Sequence, residues 1–265
     1  EINEGDWSSD VCSSDLDLEG FHTGGDTEAW RRLGSHVVTV HDDERGDLRG
    51  TRFAVWAPNA HRVQVIGDFN WWQGDDMQLV PGSGVWALWK EDVLEGTQYK
   101  YKIQHTDGTW QEKVDPYARF ADVPPGNASI VWESSHEWGE AEQKWLDERS
   151  QKNVYESQMS IYEVHLGSWR KGLTYRELAE QLPPYVKWQG FTHVELMPVM
   201  AHPFPGSWGY QVTGYFAPDA RLGDPDDLRV LIEALHAEGI GVILDWVPGH
   251  FPNEEIGRAS CRERV

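Results

Sequence analysis

Residues 239–251 read GIGVILDWVPGHF, and this stretch decides how the second half of the chain is interpreted. Apart from Asp245 it is almost continuously apolar up to Val247, which is typical of a strand buried on both faces of a parallel sheet. The carboxylate of Asp245 and the imidazole of His250 lie at the predicted end of the strand, where polar side chains suit a ligand contact. In the alternative interpretation, Asp245 caps a turn and His250 is a hydrogen-bonded loop histidine.

The segments before this strand alternate between strand and helix patterns. Two are apolar and predict strands, and two carry apolar residues at helical spacing, the later one with Asp224 as its cap. Pro183 and Pro184 are expected to interrupt the earlier helix. Strands and helices in alternation predict a parallel sheet covered by helices. In chain order the segments are 159–169, 175–189, 191–199 and 225–238.

The first half of the chain has a different pattern, in which apolar and polar residues alternate with period two. Four short runs follow this rule, and turn signals such as Pro58-Asn59 and Asp107-Gly108 separate them. Short alternating strands at this spacing predict a β-sandwich. Before them, Asp26 or Thr27 is expected to cap a short helix that runs through Leu33 and is stopped by Gly34. The four runs are TRFAVWAP (51–58), HRVQVIGDF (61–69), GVWALWKE (84–91) and TQYKYKIQH (97–105).

The two ends of the chain do not resemble the rest. Residues 6–16 (DWSSDVCSSDL) and 256–265 (IGRASCRERV) resemble translated sequencing adapters, so both ends are left out of the fold prediction. The expected organisation is an adapter-like start, a sandwich with a short lead-in, a charged linker with a short helix, the start of a second domain and an adapter-like end. The corresponding residues are 1–16, 17–134, 135–158, 159–255 and 256–265.

Composition restricts the class of partner. Both cysteines, Cys12 and Cys261, fall in the adapter-like ends, so no disulfide framework or cysteine metal site is expected, and a reducing cytoplasm fits. The net charge of −21 argues against nucleic acid or an anionic membrane as a partner. No run of 18 apolar residues is present to span a membrane. We expect a monomer with a neutral partner.

Several long motifs resemble one known family. DWVPGHF (245–251) resembles the first signature of the alpha-amylase family, glycoside hydrolase family 13. The strand motifs MSIYEVHLGSW and GIGVILDWVPGHFP, together with residues 191–218, resemble the glycogen branching enzymes within it. Residues 53–72, FAVWAPNAHRVQVIGDFNWW, resemble the immunoglobulin-like, carbohydrate-binding sandwich that precedes the barrel in those enzymes. The resemblance implies an all-β sandwich followed by the first part of a (β/α)8 barrel, truncated after the third strand.

The resemblance also implies roles for individual residues. Tyr210 matches the tyrosine that stacks under the sugar at the cleavage subsite, Asp245 matches the signature aspartate, and His250 matches a histidine that hydrogen-bonds the same sugar. Trp208 is a further substrate-binding candidate for which core packing is an equal alternative. On the sandwich, Trp71 and Trp72 are candidate glucan platforms, again with core packing as the alternative.

The implied chemistry is the retaining transfer of an α-1,4-glucan segment to a 6-hydroxyl, which needs no metal or cofactor. In the family an aspartate after the fourth strand and a glutamate after the fifth perform it. This chain stops after the third predicted strand, so neither residue can be assigned and the chain itself is expected to be inactive. Two alternatives stay open: another sandwich-plus-barrel enzyme, such as a debranching enzyme or a trehalose-releasing hydrolase, and a non-catalytic glycogen-binding protein.

Overall fold

The computed structural model describes residue 18, residue 21, residues 24–153 and residues 155–249. The adapter-like ends, at 1–16 and 256–265, and the candidate site residue His250 therefore lie outside the described residues. Every structural statement below concerns the described part of the chain.

The described chain begins with a short 3-10 helix, Ala29–Arg31, and continues as an antiparallel sandwich. One sheet has the order β1-β2-β6-β5, and the other has the order β4-β3-β7-β10-β9 with β8 also paired to β7. The predicted β-sandwich is therefore confirmed. Its strands are β1 (Gly34–Asp42), β2 (Gly46–Trp56), β3 (Arg62–Gly67), β4 (Asp75–Asp76), β5 (Gln78–Leu79), β6 (Val85–Glu91), β7 (Gln98–Gln104), β8 (Trp110–Lys113), β9 (Phe120–Ala121) and β10 (Ser129–Ile130).

Strand β7 shows why these residues form a sandwich. Tyr99, Tyr101 and Ile103 are buried, and the residues between them are only partly buried, so the period-two sequence pattern becomes one inner and one outer face. The inner side chains pack with Phe53 of β2 and Val65 of β3 in the core between the sheets. Burial of each large apolar side chain contributes roughly 1.5–3 kcal/mol to stability.

A second, parallel sheet follows the sandwich, with the order β11-β12-β15. Two helices, α3 and α4, pack against it through buried leucines such as Leu182 and Leu231. A two-stranded antiparallel pair, β13 with β14, lies in the long connection after β12. The elements are α1 (Glu140–Gln151), β11 (Ile161–Val164), α2 (Leu166–Trp169), α3 (Tyr175–Gln189), β12 (His193–Leu196), β13 (Met200–Ala201), β14 (Gly214–Pro218), α4 (Pro225–Ala237) and β15 (Gly241–Leu244).

Two local predictions are wrong in detail. Helix α3 runs without interruption through Pro183 and Pro184, although an interior proline costs about 3 kcal/mol. Thr174 and Glu177 form a capping box at its start, and its inner face is fully buried, which together offset the lost backbone hydrogen bonds. The three parallel strands are also only four residues long each, shorter than the apolar runs that predicted them.

The segment predicted as a linker packs against the second half of the chain. Its helix α1 places Trp145 on the ring of His236 in α4, with ring centroids 4.7 Å apart. Glu142 of α1 accepts a 2.6 Å hydrogen bond from the same histidine. The sandwich itself contacts the second half where Tyr117 stacks on Phe216 of β14, 5.3 Å between centroids. No helix in the described ranges is long and apolar enough to cross a membrane.

Candidate functional site

The carboxyl ends of the three parallel strands meet at one edge of the sheet. Glu163 of β11, Glu195 of β12 and Ile243 of β15 occupy the same register row. Because side chains alternate along a strand, Asp245 falls on the same face as Ile243, two positions further on. This face of the sheet is therefore acidic at the strand ends. Neither α3 nor α4 covers it, because both helices pack on the opposite face.

Tyr210 reaches this edge from the long connection after β12. Its hydroxyl donates a 2.7 Å hydrogen bond to Oδ2 of Asp245. The backbone before it is unusual, because Trp208 has φ 54° and Gly209 has φ 89°, both in the left-handed region. A Cβ at position 209 would also overlap the carbonyl oxygen of Pro198, so only glycine fits there. The loop conformation thus places Tyr210 on Asp245, and we interpret the strain as a feature of a binding loop.

Electrostatics keep the Tyr210 hydroxyl protonated. The hydrogen bond to Asp245 is the main cause that raises the pKa of Tyr210 to about 12, and partial burial adds to it. The negative charges of Asp245, Glu163 and Glu195 raise the pKa further. At neutral pH Tyr210 is therefore a neutral donor, and it holds the Asp245 carboxylate in one orientation.

The loop is anchored to the strand end by a small apolar cluster. Met200, Val212 and Val247 are buried together beneath Tyr210. The hydroxyl of Tyr215 belongs to the same cluster and donates a 3.2 Å hydrogen bond to the carbonyl oxygen of Val247. This packing fixes the backbone immediately after Asp245 and so supports the Tyr210–Asp245 pair.

A second anchor is a buried imidazole, His202. Its Nδ1 donates to the carbonyl of Met200 at 2.9 Å, and its Nε2 accepts from Nη2 of Arg221 at 2.6 Å. Burial lowers the pKa of His202, which favours the neutral ring. Only a neutral imidazole has a free nitrogen that can accept a hydrogen bond from the Arg221 guanidinium. Arg221 in turn forms an ion pair with Asp219 at 2.7 Å. A cavity of about 330 Å3 adjoins these groups at the same edge of the sheet.

Trp208 lies beside the Tyr210–Asp245 pair and is 54% exposed, so it is not a core residue. One face of its indole stacks on the imidazole of His165, with centroids 5.5 Å apart and planes inclined by 26°. His165 follows β11 directly, and Nδ1 of its ring contacts the hydroxyl of Ser168 at 2.8 Å. The exposed side of Trp208 leaves an aromatic surface available next to the acidic edge. His250, the remaining residue predicted for this site, lies outside the described residues.

The sandwich carries exposed tryptophans at the turn after β3. Trp71 is 83% exposed and Trp72 is 37% exposed, so neither is the buried core residue of the alternative interpretation. Both have left-handed backbone conformations, with φ of 55° and 60°. Asn70 braces the turn, because its side chain accepts from the amide of Gly67 and donates to the carbonyl of Val65, both at 2.9 Å.

A third tryptophan, which the sequence prediction missed, lies on the same sheet. Trp110 of β8 is 37% exposed and has Lys102 Nζ at 5.6 Å and Arg62 Cζ at 5.9 Å from its ring centre. Arg62, beside Trp110, and Gly67, which precedes the Trp71–Trp72 turn, are five positions apart in β3, which is roughly 17 Å along the strand. The sequence did contain a sign that Trp110 is exposed. The Asp107-Gly108 turn comes directly before β8, and residues at the start of a strand after a turn are often exposed. Within the described ranges no cluster of metal-ligating side chains is found.

Two family profiles match the chain. Residues 32–118 match carbohydrate-binding module 48, the isoamylase N-terminal domain, and residues 174–256 match the alpha amylase catalytic domain. The chain is a carbohydrate-binding module 48 followed by the start of an alpha-amylase catalytic domain. The predicted order of a sandwich and then a truncated barrel is thereby confirmed, with a three-stranded sheet in place of a closed barrel. Tyr210 and Asp245 belong to the alpha-amylase part, and Trp71, Trp72 and Trp110 belong to the carbohydrate-binding module.

This two-part chain is homologous to bacterial branching enzymes. It is 64% identical to the 1,4-alpha-glucan branching enzyme GlgB of Cutibacterium acnes over 91% of the chain and 38% of that enzyme. It is 53% identical to the GlgB of Kitasatospora aureofaciens over 93% of the chain and 32% of that enzyme. The crystal structure of a putative alpha amylase from Salmonella typhimurium matches 85% of the chain and 35% of its own length, with a TM-score of 0.66 and 27% identity. The chain thus spans about a third of the length of the curated relatives it matches.

Proposed function

We propose that this chain supplies the glucan-binding parts of a 1,4-alpha-glucan branching enzyme of glycogen biosynthesis. The observation that carries the proposal is the Tyr210–Asp245 hydrogen bond at the carboxyl edge of the parallel sheet. Ligands of (β/α)8 barrels bind at that edge, and the chain is 64% identical to a branching enzyme over 91% of its length.

Each residue at the edge has a proposed task. The ring of Tyr210 offers a flat apolar face on which a pyranose stacks, and Asp245 accepts hydrogen bonds from the hydroxyls of that sugar. The neutral Tyr210 hydroxyl keeps the carboxylate aligned while the sugar binds. Trp208 extends the aromatic surface to a neighbouring glucosyl unit, and His250 donates to the sugar at the same subsite. In the retaining reaction, an enzyme carboxylate attacks the anomeric carbon of the sugar held here, the α-1,4 linkage breaks, and the departing 4-oxygen takes a proton from an enzyme acid. The 6-hydroxyl of a glucan then gives its proton back to that acid group and its oxygen displaces the carboxylate, which forms the α-1,6 linkage.

The sandwich is proposed to hold the glucan chain away from the reaction centre. Trp110 on β8 and Trp71 and Trp72 in the turn after β3 provide stacking surfaces, and Lys102 offers hydrogen-bond donors beside Trp110. Such a surface keeps a long polymer close to the enzyme and raises the effective concentration of chain ends. The same arrangement would serve a non-catalytic glycogen-binding protein, which is the second candidate function.

We further propose that the protein acts in the cytoplasm as a monomer whose partner is an α-glucan, without nucleic acid, membrane, metal or cofactor. The absence of cysteine from residues 17–255 and the net charge of −21 support this. The proposed domain bounds are 17–134, 135–158 and 159–255. They are supported by sandwich strands between Gly34 and Ile130 and by a first parallel strand that begins at Ile161.

A chimeric enzyme tests the proposed reaction. Residues 17–255 are joined in frame to the remaining part of the Cutibacterium acnes branching enzyme, and the product made from amylose is treated with a debranching enzyme. We expect new α-1,6 linkages, counted as short chains released by debranching. Release of trehalose or of linear oligosaccharides instead would favour the two enzymatic alternatives, and binding without any turnover would favour the glycogen-binding protein.

The 265-residue chain without the added part serves as the matched negative control. It offers no assignable nucleophile and acid pair, so amylose incubated with it should keep its iodine colour unchanged. A loss of colour that grows with time and enzyme concentration would contradict this expectation.

A further inference from the structure

A second cavity lies at the opposite end of the parallel sheet from Tyr210 and Asp245. Its volume is about 440 Å3, and it is bounded by the end of α1, the beginnings of β12 and β15 and the end of α4. Trp145, Arg149 and Lys152 line it from α1 and the residue after it, while His193 and His236 line it from the other side. Small-molecule sites typically occupy about 300–1,000 Å3, so the volume suits a small ligand.

The charge of this cavity is opposite to that of the chain. The net charge is −21, yet no aspartate or glutamate is among the described residues that line the cavity. Arg149 and Lys152 form no ion pair with any carboxylate of the described chain, whereas Lys144 of the same helix pairs with Glu148. Glu142, whose carboxylate contacts the lining residue His236, is already bonded to Nδ1 of that histidine. The cationic groups at the cavity are therefore available to an external anion.

Trp145 adds a hydrogen-bond donor that has no acceptor within the described residues. The side chain is 9% exposed, and its indole Nε1 is buried and makes no hydrogen bond. One face of the ring stacks on His236, and Nζ of Lys152 lies 5.6 Å from the ring centre. Buried N–H groups are almost always paired in folded proteins, and this one belongs to a residue that lines the cavity, so it is free to donate to a group bound there.

His193 reports a positive potential inside the cavity. Its pKa is lowered by burial first and then by the positive charge of Lys152. Nδ1 of the ring contacts the hydroxyl of Thr192 at 2.8 Å, so Nε2 is the ring nitrogen left to bind another group. A bound anion near Lys152 would reverse the electrostatic effect on this imidazole, so His193 is a suitable reporter of binding.

We propose that this cavity binds a phosphate group, free or esterified to a small molecule. Arginine, lysine, indole and imidazole N–H groups are all donors, and the charged oxygens of a phosphate group are strong acceptors at neutral pH. Basic residues near a helix end also offset the helix dipole, which accounts for Arg149 in the last turn of α1. That effect does not account for the missing carboxylates or for the unpaired N–H of Trp145. The proposal is independent of the branching reaction.

The test is an NMR titration of the histidine signals of the full 265-residue chain at pH 7. Inorganic phosphate, glycerol 3-phosphate and neutral glycerol are added separately, with sodium chloride holding the ionic strength constant. We expect the His193 signal to shift and saturate with both phosphates and not with glycerol. Tighter binding of glycerol 3-phosphate would identify a phosphorylated molecule as the ligand, and equal binding would identify free phosphate.

Two variants on the same helix region separate a site from general charge attraction. Lys152→Gln should weaken phosphate binding at least about five-fold, while Lys144→Gln should change it less than about two-fold, because Lys144 is already paired and lies outside the cavity. Circular dichroism confirms that both variants are folded. Absence of a saturable His193 shift, or equal weakening by the two substitutions, would overturn the proposal.

Discussion

The hydroxyl of Tyr210 and the carboxylate of Asp245 are 35 positions apart in the sequence and 2.7 Å apart in the fold. One comes from a glycine-containing loop after β12 and the other from the end of β15. The bond joins the two segments at the edge of the sheet where barrel enzymes bind their ligands. The pair therefore couples the shape of the loop to the position of an acidic side chain.

The first prediction concerns this pair in the chimeric enzyme. Tyr210→Phe should lower the branching kcat/KM about ten-fold, because Asp245 loses the donor that orients it, a hydrogen bond worth on the order of 1–2 kcal/mol. Tyr210→Ala should lower it further, since the stacking ring is lost as well. Tyr185→Phe is the matched control, because the Tyr185 hydroxyl lies on α3, where its partners are Gln189, at 3.4 Å, and Tyr162, and neither belongs to the Tyr210–Asp245 pair. Equal rates for Tyr210→Phe and the parent would contradict the prediction.

The second prediction concerns glucan binding by the sandwich. Replacing Trp71 and Trp72 by Ala should reduce the retardation of the chain in a glycogen-containing gel, since each stacking platform contributes on the order of 1 kcal/mol. Trp110→Ala should act in the same direction. Trp188→Ala is the matched control, because Trp188 is 78% exposed but belongs to α3 and not to the sandwich. A reduction of the same size in the control would show that exposed tryptophan in general causes the retardation.

The third prediction concerns the folding of residues 159–255 without the sandwich and α1. The open sheet has two edge strands, β11 and β15, and Leu244 is 52% exposed. Unpaired strand edges and apolar side chains left in water, at roughly 1.5–3 kcal/mol each, match the ~5–15 kcal/mol stability of a whole domain. Removing α1 also exposes the ring of His236 that Trp145 covers. We expect fast amide exchange in residues 239–247, and slow exchange there in a monomer would show that the segment is stable.

The fourth prediction concerns the buried carboxyl group of Asp115. It is 1% exposed and accepts hydrogen bonds from the hydroxyls of Tyr99 and Tyr101, at 2.6 and 3.3 Å. Burial raises its pKa to about 6 despite these bonds. Unfolded Asp115 loses its proton near pH 4 while the folded group keeps it to about pH 6. This group therefore lowers the free energy of unfolding as pH rises from 4 to 6, by about 1–3 kcal/mol in total.

His36 opposes Asp115 in the same pH window. Burial, and then the positive charges of Arg119 and Arg52, lower the pKa of His36 to about 4. Between pH 4 and 6.5 the unfolded state binds more protons at this residue, so His36 makes stability rise with pH. Asp115→Asn should therefore make the urea-unfolding free energy rise more steeply from pH 4.5 to 6.5, and His36→Gln should make it fall. Parallel pH profiles for parent and variants would contradict both assignments.

The sequence by itself determined the two-part fold and the identity of several candidate residues. Period-two alternation in 97–105 and apolar runs such as 239–247 depend only on which side chains must be buried, and that property is local. The motif around Tyr210 and the one around Asp245 could be recognised because each is continuous in the chain. The sequence also marked the turn that exposes Trp71 and Trp72.

Only the tertiary structure decided which of these residues meet. Glu163 and Glu195 lie side by side at the acidic edge because β11 and β12 pair in this parallel register. The sequence pattern within either strand does not predict the register. Helix α3 continues through Pro183 and Pro184 because its inner face is buried against the sheet, and that burial outweighs the local preference to break. The phosphate cavity combines Lys152 with His193, from segments far apart in the chain, so it depends on packing energy and not on local propensity.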